Sequence, residues 1–173
     1  MIKAIGKGSL ASILAVALHV VRVVVWIAFA ALSAAIVAIP FIPAVAKIIS
    51  GANGVSLEGE IDIDAGDFVE VLKYFITFGV ALYVIERLLE LLKTLRFGSP
   101  FVKENADRFR NLGWALLIGE GAEIVIGVLA AIFDADVEAG LDGITLLSVA
   151  AVFVLSEVFR EGARMKEEQD LTV

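Results

Sequence analysis

The amino-acid sequence predicts an all-α membrane protein whose four transmembrane helices pack as an antiparallel bundle. Three observations support this fold class. The chain is 60% hydrophobic with a mean hydropathy of +0.92, well above the values of a soluble domain. Its charged residues, 20% of the total, leave four apolar runs long enough to cross a bilayer. The absence of cysteine excludes a disulfide-stapled module, and the formal net charge of −7 argues against direct nucleic-acid binding.

The first apolar run reaches Ile42 and is interrupted only by His19 and Arg22. Because the apolar region of a secretory signal has only about 7–15 residues, this longer run predicts a span over residues 13–42 rather than a cleaved signal. The helix should end near Pro40, since proline lacks a backbone N–H and restricts the residue before it.

The second run predicts a span over residues 68–92 that changes character towards its end. There, apolar residues recur on one helix face while charged residues occupy the other, which indicates a helix that leaves the bilayer. Gly98 should end this helix, and the Ser-Pro pair that follows is typical of an N-cap with proline at the first helical position. We therefore expect a separate short helix over 100–110 within a cytoplasmic connection at 93–110.

The remaining sequence completes a single four-span membrane domain. Residues 54–64 alternate apolar and acidic side chains with a period of two, which favours a short β-like segment in the first outer loop. The predicted divisions are outer loops at 44–67 and 134–142, further spans at 111–133 and 143–162, and a tail at 163–173.

The distribution of charge predicts which side of the membrane each segment faces. Four antiparallel spans place both termini on the same side. The segments 44–73 and 134–142 carry ten carboxylates but only two lysines. The other twelve Lys and Arg lie in the N-terminal part, in residues 86–110, in the C-terminal part from Arg160 onward and, for Arg22, in the first span. Because positive charge concentrates in cytoplasmic segments, we expect both termini and the connection to be cytoplasmic.

Two motifs near the cytoplasmic ends of the spans resemble a known family. The first has the pattern G-x-P-F-x-x-x-N and consists of Gly98, Pro100, Phe101 and Asn105. The second starts as F-R-x-G and ends as D-L-T-V, and consists of Phe159, Arg160, Gly162, Asp170, Leu171, Thr172 and Val173. Together with the four-span layout, these motifs resemble the DUF2975 family of bacterial integral membrane proteins. The chain departs from the family pattern at Met165, where leucine is usual, and at Gln169, where asparagine is common.

The resemblance implies a location and a partner but no activity. It places the protein in a bacterial inner membrane as a multi-pass protein. Members of the family are often encoded beside a small Cro/C1-type helix-turn-helix protein, so the resemblance implies such a cytosolic protein as a partner. The family is named for having no assigned function.

Two glutamates lie within the third span, where an unpaired carboxylate is energetically expensive. Glu120 and Glu123 are three residues apart and share one helix face. Glu123 also belongs to a row of small residues spaced by four, which favours close contact with another helix and should point it into the bundle. Either the pair binds a proton or a cation, or it fixes helix packing by bonding to Arg22, His19 or a hydroxyl.

Four further polar residues complete a predicted intramembrane polar cluster. Arg22 and His19 lie three residues apart on the first span, near the bilayer boundary. Glu86 and Glu157, near the inner ends of the second and fourth spans, should lie at a similar depth. We therefore expect Arg22 to meet these carboxylates together with Glu120. One histidine supplies too few ligands for zinc, so neither a metal nor a cofactor is expected.

The end of the second span, the helix at 100–110 and the tail should be neighbours, because all three leave the membrane on one side. Opposite charges in the connection and the tail favour contact, although exposed ion pairs contribute only about 0–1 kcal/mol each. Apolar side chains should therefore contribute most of the stabilisation of this contact. The candidates are Phe97, Phe101, Phe109, Phe159 and Leu171. Alternatively, these residues only anchor the helices at the lipid headgroups.

No residue pattern supports catalysis, since the sequence lacks a cysteine nucleophile, an HExxH zinc motif and a phosphate-binding loop. We therefore expect a non-catalytic regulatory or sensory module that tethers the helix-turn-helix protein through its cytoplasmic face. The alternative is a small proton- or cation-coupled transporter or channel subunit, which would need a continuous wet path to the intramembrane carboxylates. The bilayer is the expected surrounding, and homo-oligomerisation is left open.

Overall fold

The computed structural model describes residues 10–42, 44–45, 48, 65–96 and 100–171. Several predicted features fall outside these residues. They are the β-like segment at 54–64, the Gly-Ser pair before Pro100, Phe97, Thr172 and Val173.

All regular secondary structure among the described residues is helical. Helix α1 covers Leu10–Ala38 and continues as a short 3-10 turn over Ile39–Phe41, and the other helices are α2 (Ala65–Arg96), α3 (Lys103–Phe133) and α4 (Gly143–Asp170). Each of the four helices is long and apolar enough to cross a membrane. The predicted all-α class with four candidate spans is therefore confirmed.

The helix boundaries correct one expectation from the sequence. Helix α3 begins at Lys103 and continues without a break to Phe133, so the separate helix predicted over 100–110 does not form. Between these ends the sequence contains no proline, and the backbone N–H groups of the connection continue the hydrogen bonding of the span. Helix α4 likewise continues to Asp170, so most of the predicted tail is helical.

Extensive contacts in the described part of the chain join only consecutive helices: α1 with α2, α2 with α3, and α3 with α4. The ring of Phe29 on α1 stacks on Phe75 of α2 with centroids 4.6 Å apart. Val69 of α2 packs with Ile126 and Ala130 of α3 in a buried apolar cluster. Helix α1 is therefore held to the rest of the protein chiefly through α2, and its other faces expose apolar side chains as expected of a surface covered by lipid.

The segment between α3 and α4, residues 134–142, does not pass over the end of the helices, and we name it the return segment. Asp134 reverses the chain with a left-handed φ of 52°, and the N–H of Ala135 donates to the carbonyl of Ala130. The return segment then passes Gly127, where an added Cβ would lie 3.4 Å from the carbonyl oxygen of Ala139. Because the chain descends along α3 in this way, α4 begins beside the middle of α3 rather than beside its end.

Candidate functional site

The structure divides the six residues of the predicted polar cluster among three places. His19, Arg22 and Glu86 line a pocket between α1 and α2, whereas Glu120 and Glu123 line a second pocket beside the return segment. Glu157 forms an ion pair with Arg160 on its own helix. The expected meeting of Arg22 with Glu120 and Glu157 is therefore wrong. Glu120 does not meet Arg22 because the return segment supplies Glu120 with a different partner.

Glu120 is the buried member of the glutamate pair, with 7% of its surface exposed. Its Oε2 atom accepts a hydrogen bond of 3.0 Å from the backbone N–H of Asp142. The predicted partners were Arg22, His19 or a hydroxyl, and a backbone N–H was not foreseen. Glu123 is only half-buried and makes no hydrogen bond to any residue that the structure describes. Glu120 rather than Glu123 therefore ties two parts of the fold together.

Asp142 connects this contact to the start of α4. Its carboxylate accepts hydrogen bonds from the backbone N–H of Ile144 and from both the N–H and the hydroxyl of Thr145. These bonds, of which the hydroxyl contributes most, hold the pKa of Asp142 below its usual range. The charged carboxylate thus serves as the N-cap of α4. Opposite it, Lys73 of α2 donates from Nζ to the carbonyl of Glu138.

Asn105, the last residue of the first motif, lies at the junction of α2, α3 and the connection and is only 1% exposed. Its Nδ2 donates to the hydroxyl of Thr94 at 2.8 Å and to the carbonyl of Pro100 at 2.7 Å. Its Oδ1 accepts from Nη1 of Arg108 at 2.8 Å. The side chain therefore joins the end of α2 to the turn that precedes α3, using both its donor and its acceptor capacity.

Arg108 extends this network to a carboxylate on α2. Its Nε lies 3.2 Å from Oε2 of Glu90, and Nη1 of Arg87 lies 2.8 Å from the same oxygen. The guanidinium of Arg87 also lies 4.9 Å from the centroid of the Tyr83 ring, a favourable cation–π distance. Glu90 is thus shared by two arginines, which fixes the amphipathic end of α2 against α3.

The second motif meets the first through aromatic rings. Phe159 of α4 packs between Phe101 and Phe109, with centroid distances of 5.5 Å and 4.8 Å. Gly162 makes room for this contact, because a Cβ at that position would lie 2.5 Å from Cδ1 of Phe101. The contact of Phe101 and Phe109 with Phe159 agrees with the expectation that these phenylalanines pack together. We name the surface formed by Pro100, Phe101, Asn105, Phe109, Phe159 and Gly162 the motif face.

The arginines that follow Phe159 form their described ion pairs along α4 itself. Arg160 pairs with Glu157, and Arg164 pairs with Glu161 and Glu168 on the same helix. Leu171, expected as an apolar anchor, is 83% exposed and lies at the end of α4 near Asp170. The side chain of Leu171 is therefore exposed rather than used to hold the motif face together.

Sequence reasoning missed several residues that build this face. Thr94 and Ser156 look like isolated polar residues on apolar helices, yet Thr94 binds Asn105 and the hydroxyl of Ser156 donates to the carbonyl of Ala106. Gly113 was also overlooked, although a Cβ there would lie 2.9–3.1 Å from the ring of Phe153. No periodic signal marks these positions, because each depends on a partner distant in sequence.

In the parts of the chain that the structure covers, no group of three or more acidic or histidine side chains is arranged to hold a metal ion. The carboxylates that are buried or shared are engaged by N–H donors, as Glu120 and Glu90 show. These contacts therefore join separate segments of the described fold.

Comparison with known protein families matches most of the chain. A family model described as "Protein of unknown function (DUF2975)" matches residues 68–173, which covers most of α2, all of α3 and α4, and the motif face. No curated protein and no solved structure matches the chain.

Proposed function

Since the chain belongs to the DUF2975 family, whose description assigns no activity, we propose from its geometry that it is a non-catalytic regulatory module of the bacterial inner membrane. In this proposal the motif face lies in the cytoplasm and holds a small helix-turn-helix DNA-binding protein at the membrane. The observation that carries the proposal is the concentration of both family motifs in one built surface. Asn105 is buried at the centre of this face, and Leu171, further along α4 in the second motif, is exposed beyond it.

The pattern of burial on the motif face supports docking rather than lipid anchoring alone. A residue that only anchored a helix at the headgroups would not need a buried, fully hydrogen-bonded side chain such as Asn105. Leu171, by contrast, is a large apolar side chain left open at the end of the second motif. Exposed apolar residues next to a rigid surface are common in protein-binding sites.

A transporter or channel subunit is the second candidate, and the pocket of Glu120, Glu123 and Lys73 is the observation that favours it. We rank it lower because Glu120 is engaged by a backbone N–H and Lys73 by a carbonyl, so neither group is kept for a passing ion. The pocket that contains Arg22 also lies in a different helix interface, between α1 and α2.

The proposed topology is four antiparallel spans with both termini in the cytoplasm. Contacts that run in opposite directions along α1 and α2, namely Phe29 with Phe75 and the shared pocket of Arg22 and Glu86, support this arrangement. Because the chain has no cysteine, single cysteines report the side of each segment. We expect an impermeant maleimide to label Asp136→Cys on intact cells and Glu167→Cys only after the cells are opened. Labelling of Glu167→Cys on intact cells would contradict the topology.

Capture of the partner tests the proposed function itself. We expect a small helix-turn-helix protein, identified by mass spectrometry, to co-purify with the tagged chain from native membranes in mild detergent. Leu171→Glu should reduce this capture by about tenfold, because a buried charge replaces an apolar contact in the interface. Leu141→Glu is the matched control, since Leu141 is a similarly exposed leucine on the return segment.

Two outcomes would count against the docking proposal. Equal capture by the wild type, Leu171→Glu and a chain shortened by residues 169–173 would remove the end of the second motif from the binding surface. A loss of capture by Leu141→Glu as large as that by Leu171→Glu would show a general defect rather than a specific interface. Both variants change exposed side chains, and size-exclusion chromatography of each variant checks that it is folded before capture is compared.

A further inference from the structure

The pocket between α1 and α2 is lined by two cations, Arg22 and Lys93, and by two carboxylates, Glu86 and Glu90. Ala15, His19 and Arg22 of α1 face Glu86, Leu89, Glu90 and Lys93 of α2 across a cavity of about 440 Å³. Of its two carboxylates, Glu90 is already shared by Arg87 and Arg108. Arg22 and Lys93 form no ion pair with any described residue, and only Glu86 is left to balance them. Among the described residues that line the pocket, the positive charges of Arg22 and Lys93 therefore exceed the negative charge that remains to balance them.

An apolar groove continues from this pocket along the outer surface of α1. It is lined by Ala15, Val16, His19, Val20, Val23 and Val24, so that Ala15 and His19 belong to both cavities. The four valines are well exposed and follow the helix over more than two turns. The polar pocket and the apolar groove thus form one continuous amphipathic site, with its charged part near the amphipathic end of α2.

We propose that this site binds one anionic phospholipid, with the phosphate in the pocket of Arg22 and Lys93 and an acyl chain along the valine groove. A half-buried arginine at the edge of a bilayer requires a partner, and a phosphodiester supplies the charge and the acceptor oxygens that a guanidinium prefers. Basic pockets between transmembrane helices are known to bind anionic headgroups in this way. The inference depends on the membrane location of the helices but not on the helix-turn-helix partner.

The alternative occupant of the pocket is Glu86 itself, turned towards Arg22 in a direct ion pair. The two accounts predict different effects for Glu86→Gln. If a lipid phosphate is the partner of Arg22, removing Glu86 removes a competitor and strengthens the binding of anionic lipid. If Glu86 is the partner, its removal destabilises the chain and leaves lipid preference unchanged.

The test uses the full purified chain in mild detergent, with phosphatidylglycerol and phosphatidylcholine of the same acyl chains as probes. Bound lipid is measured by native mass spectrometry, and thermal stabilisation is followed in parallel. We expect the wild type to prefer phosphatidylglycerol by about tenfold, and Arg22→Gln with Lys93→Gln to reduce this preference to about twofold or less. The control is Lys103→Gln with Arg110→Gln, which removes two exposed cations from α3 at the same end of the protein.

Three results would overturn the proposal. One is an unchanged preference for phosphatidylglycerol in the Arg22 and Lys93 double variant, and another is an equal loss of preference in the Lys103 and Arg110 control. The third is stabilisation by inorganic phosphate alone equal to that by the lipid, which would make the site a free-anion site without a role for the groove. Should the Arg22 and Lys93 variant fail to fold, a stronger preference in Glu86→Gln still supports the proposal, and a weaker or unchanged one refutes it.

Discussion

Replacing Asn105 by alanine is expected to lower the free energy of unfolding by about 2–4 kcal/mol, as judged from the cost of leaving buried hydrogen-bonding groups without partners. The carbonyl of Pro100 loses its donor, and Nη1 of Arg108 loses its acceptor. Thr94 keeps one bond, because its hydroxyl still donates to the carbonyl of Leu91. The measurement is reversible unfolding in mixed micelles, compared between wild type and variant.

Two further variants make this test specific. Asn105→Asp keeps an acceptor for Arg108 but has no donor for Pro100, so its stability should lie between those of the wild type and the alanine variant. Asn111→Ala is the matched control, because Asn111 is an exposed asparagine on the same helix without a hydrogen bond to a described residue. A loss of stability in Asn111→Ala equal to that in Asn105→Ala would show that the buried network contributes nothing particular.

Replacing Gly113 by leucine is expected to force α3 and α4 apart and to lower the free energy of unfolding by about 3 kcal/mol. Gly113 is buried, and a Cβ there would already lie within 2.9–3.1 Å of three atoms of the Phe153 ring. Phe153 cannot easily yield, because its ring also packs edge-on against Trp114 at 5.7 Å. The Gly113→Ala variant should lose less, since the better helix propensity of alanine offsets part of the overlap.

Gly121→Leu provides the control for this prediction. Gly121 lies on the same helix, and a Cβ there would meet nothing within 4 Å, so leucine should be accommodated on the outer surface with little loss of stability. Combining Gly113→Leu with Phe153→Ala should recover part of the lost stability, which a double-mutant cycle measures. An additive result would show that the Phe153 ring does not limit the approach of the two helices.

Much of the architecture is predictable from the sequence because it depends on local properties. The length and hydropathy of each apolar run predict four candidate spans, and Pro40 predicts the end of α1. The motif residues Phe101, Asn105, Phe159 and Gly162 are also recognisable in the sequence alone. What these residues contact is not predictable from the motifs, since spacing within one segment does not reveal contacts between segments.

The predictions that were wrong share one physical cause, which is that each was made from local signals along a single segment. Local turn signals at Pro100 suggested a separate helix, but the uninterrupted helix-forming sequence from Lys103 onward produced a single long α3. For Glu120, the sequence offered Arg22, His19 or a hydroxyl as partners, because only the positions of polar residues along each span were known. The return segment instead brings the N–H of Asp142 to Glu120, because Asp134 turns the chain back along α3.

The sequence by itself determined the number of candidate spans, the apolar character of their outer faces and the residues of the motifs, because hydropathy and helix propensity act over neighbouring positions. Only the tertiary structure decided which polar groups meet. Asn105 forms a hydrogen bond with Thr94, Glu120 accepts one from the backbone of Asp142, and Arg22 shares a pocket with Lys93. These contacts depend on the position of each helix along its neighbour and on how the chain turns between helices. A buried polar group then bonds to the partner that this geometry brings within reach.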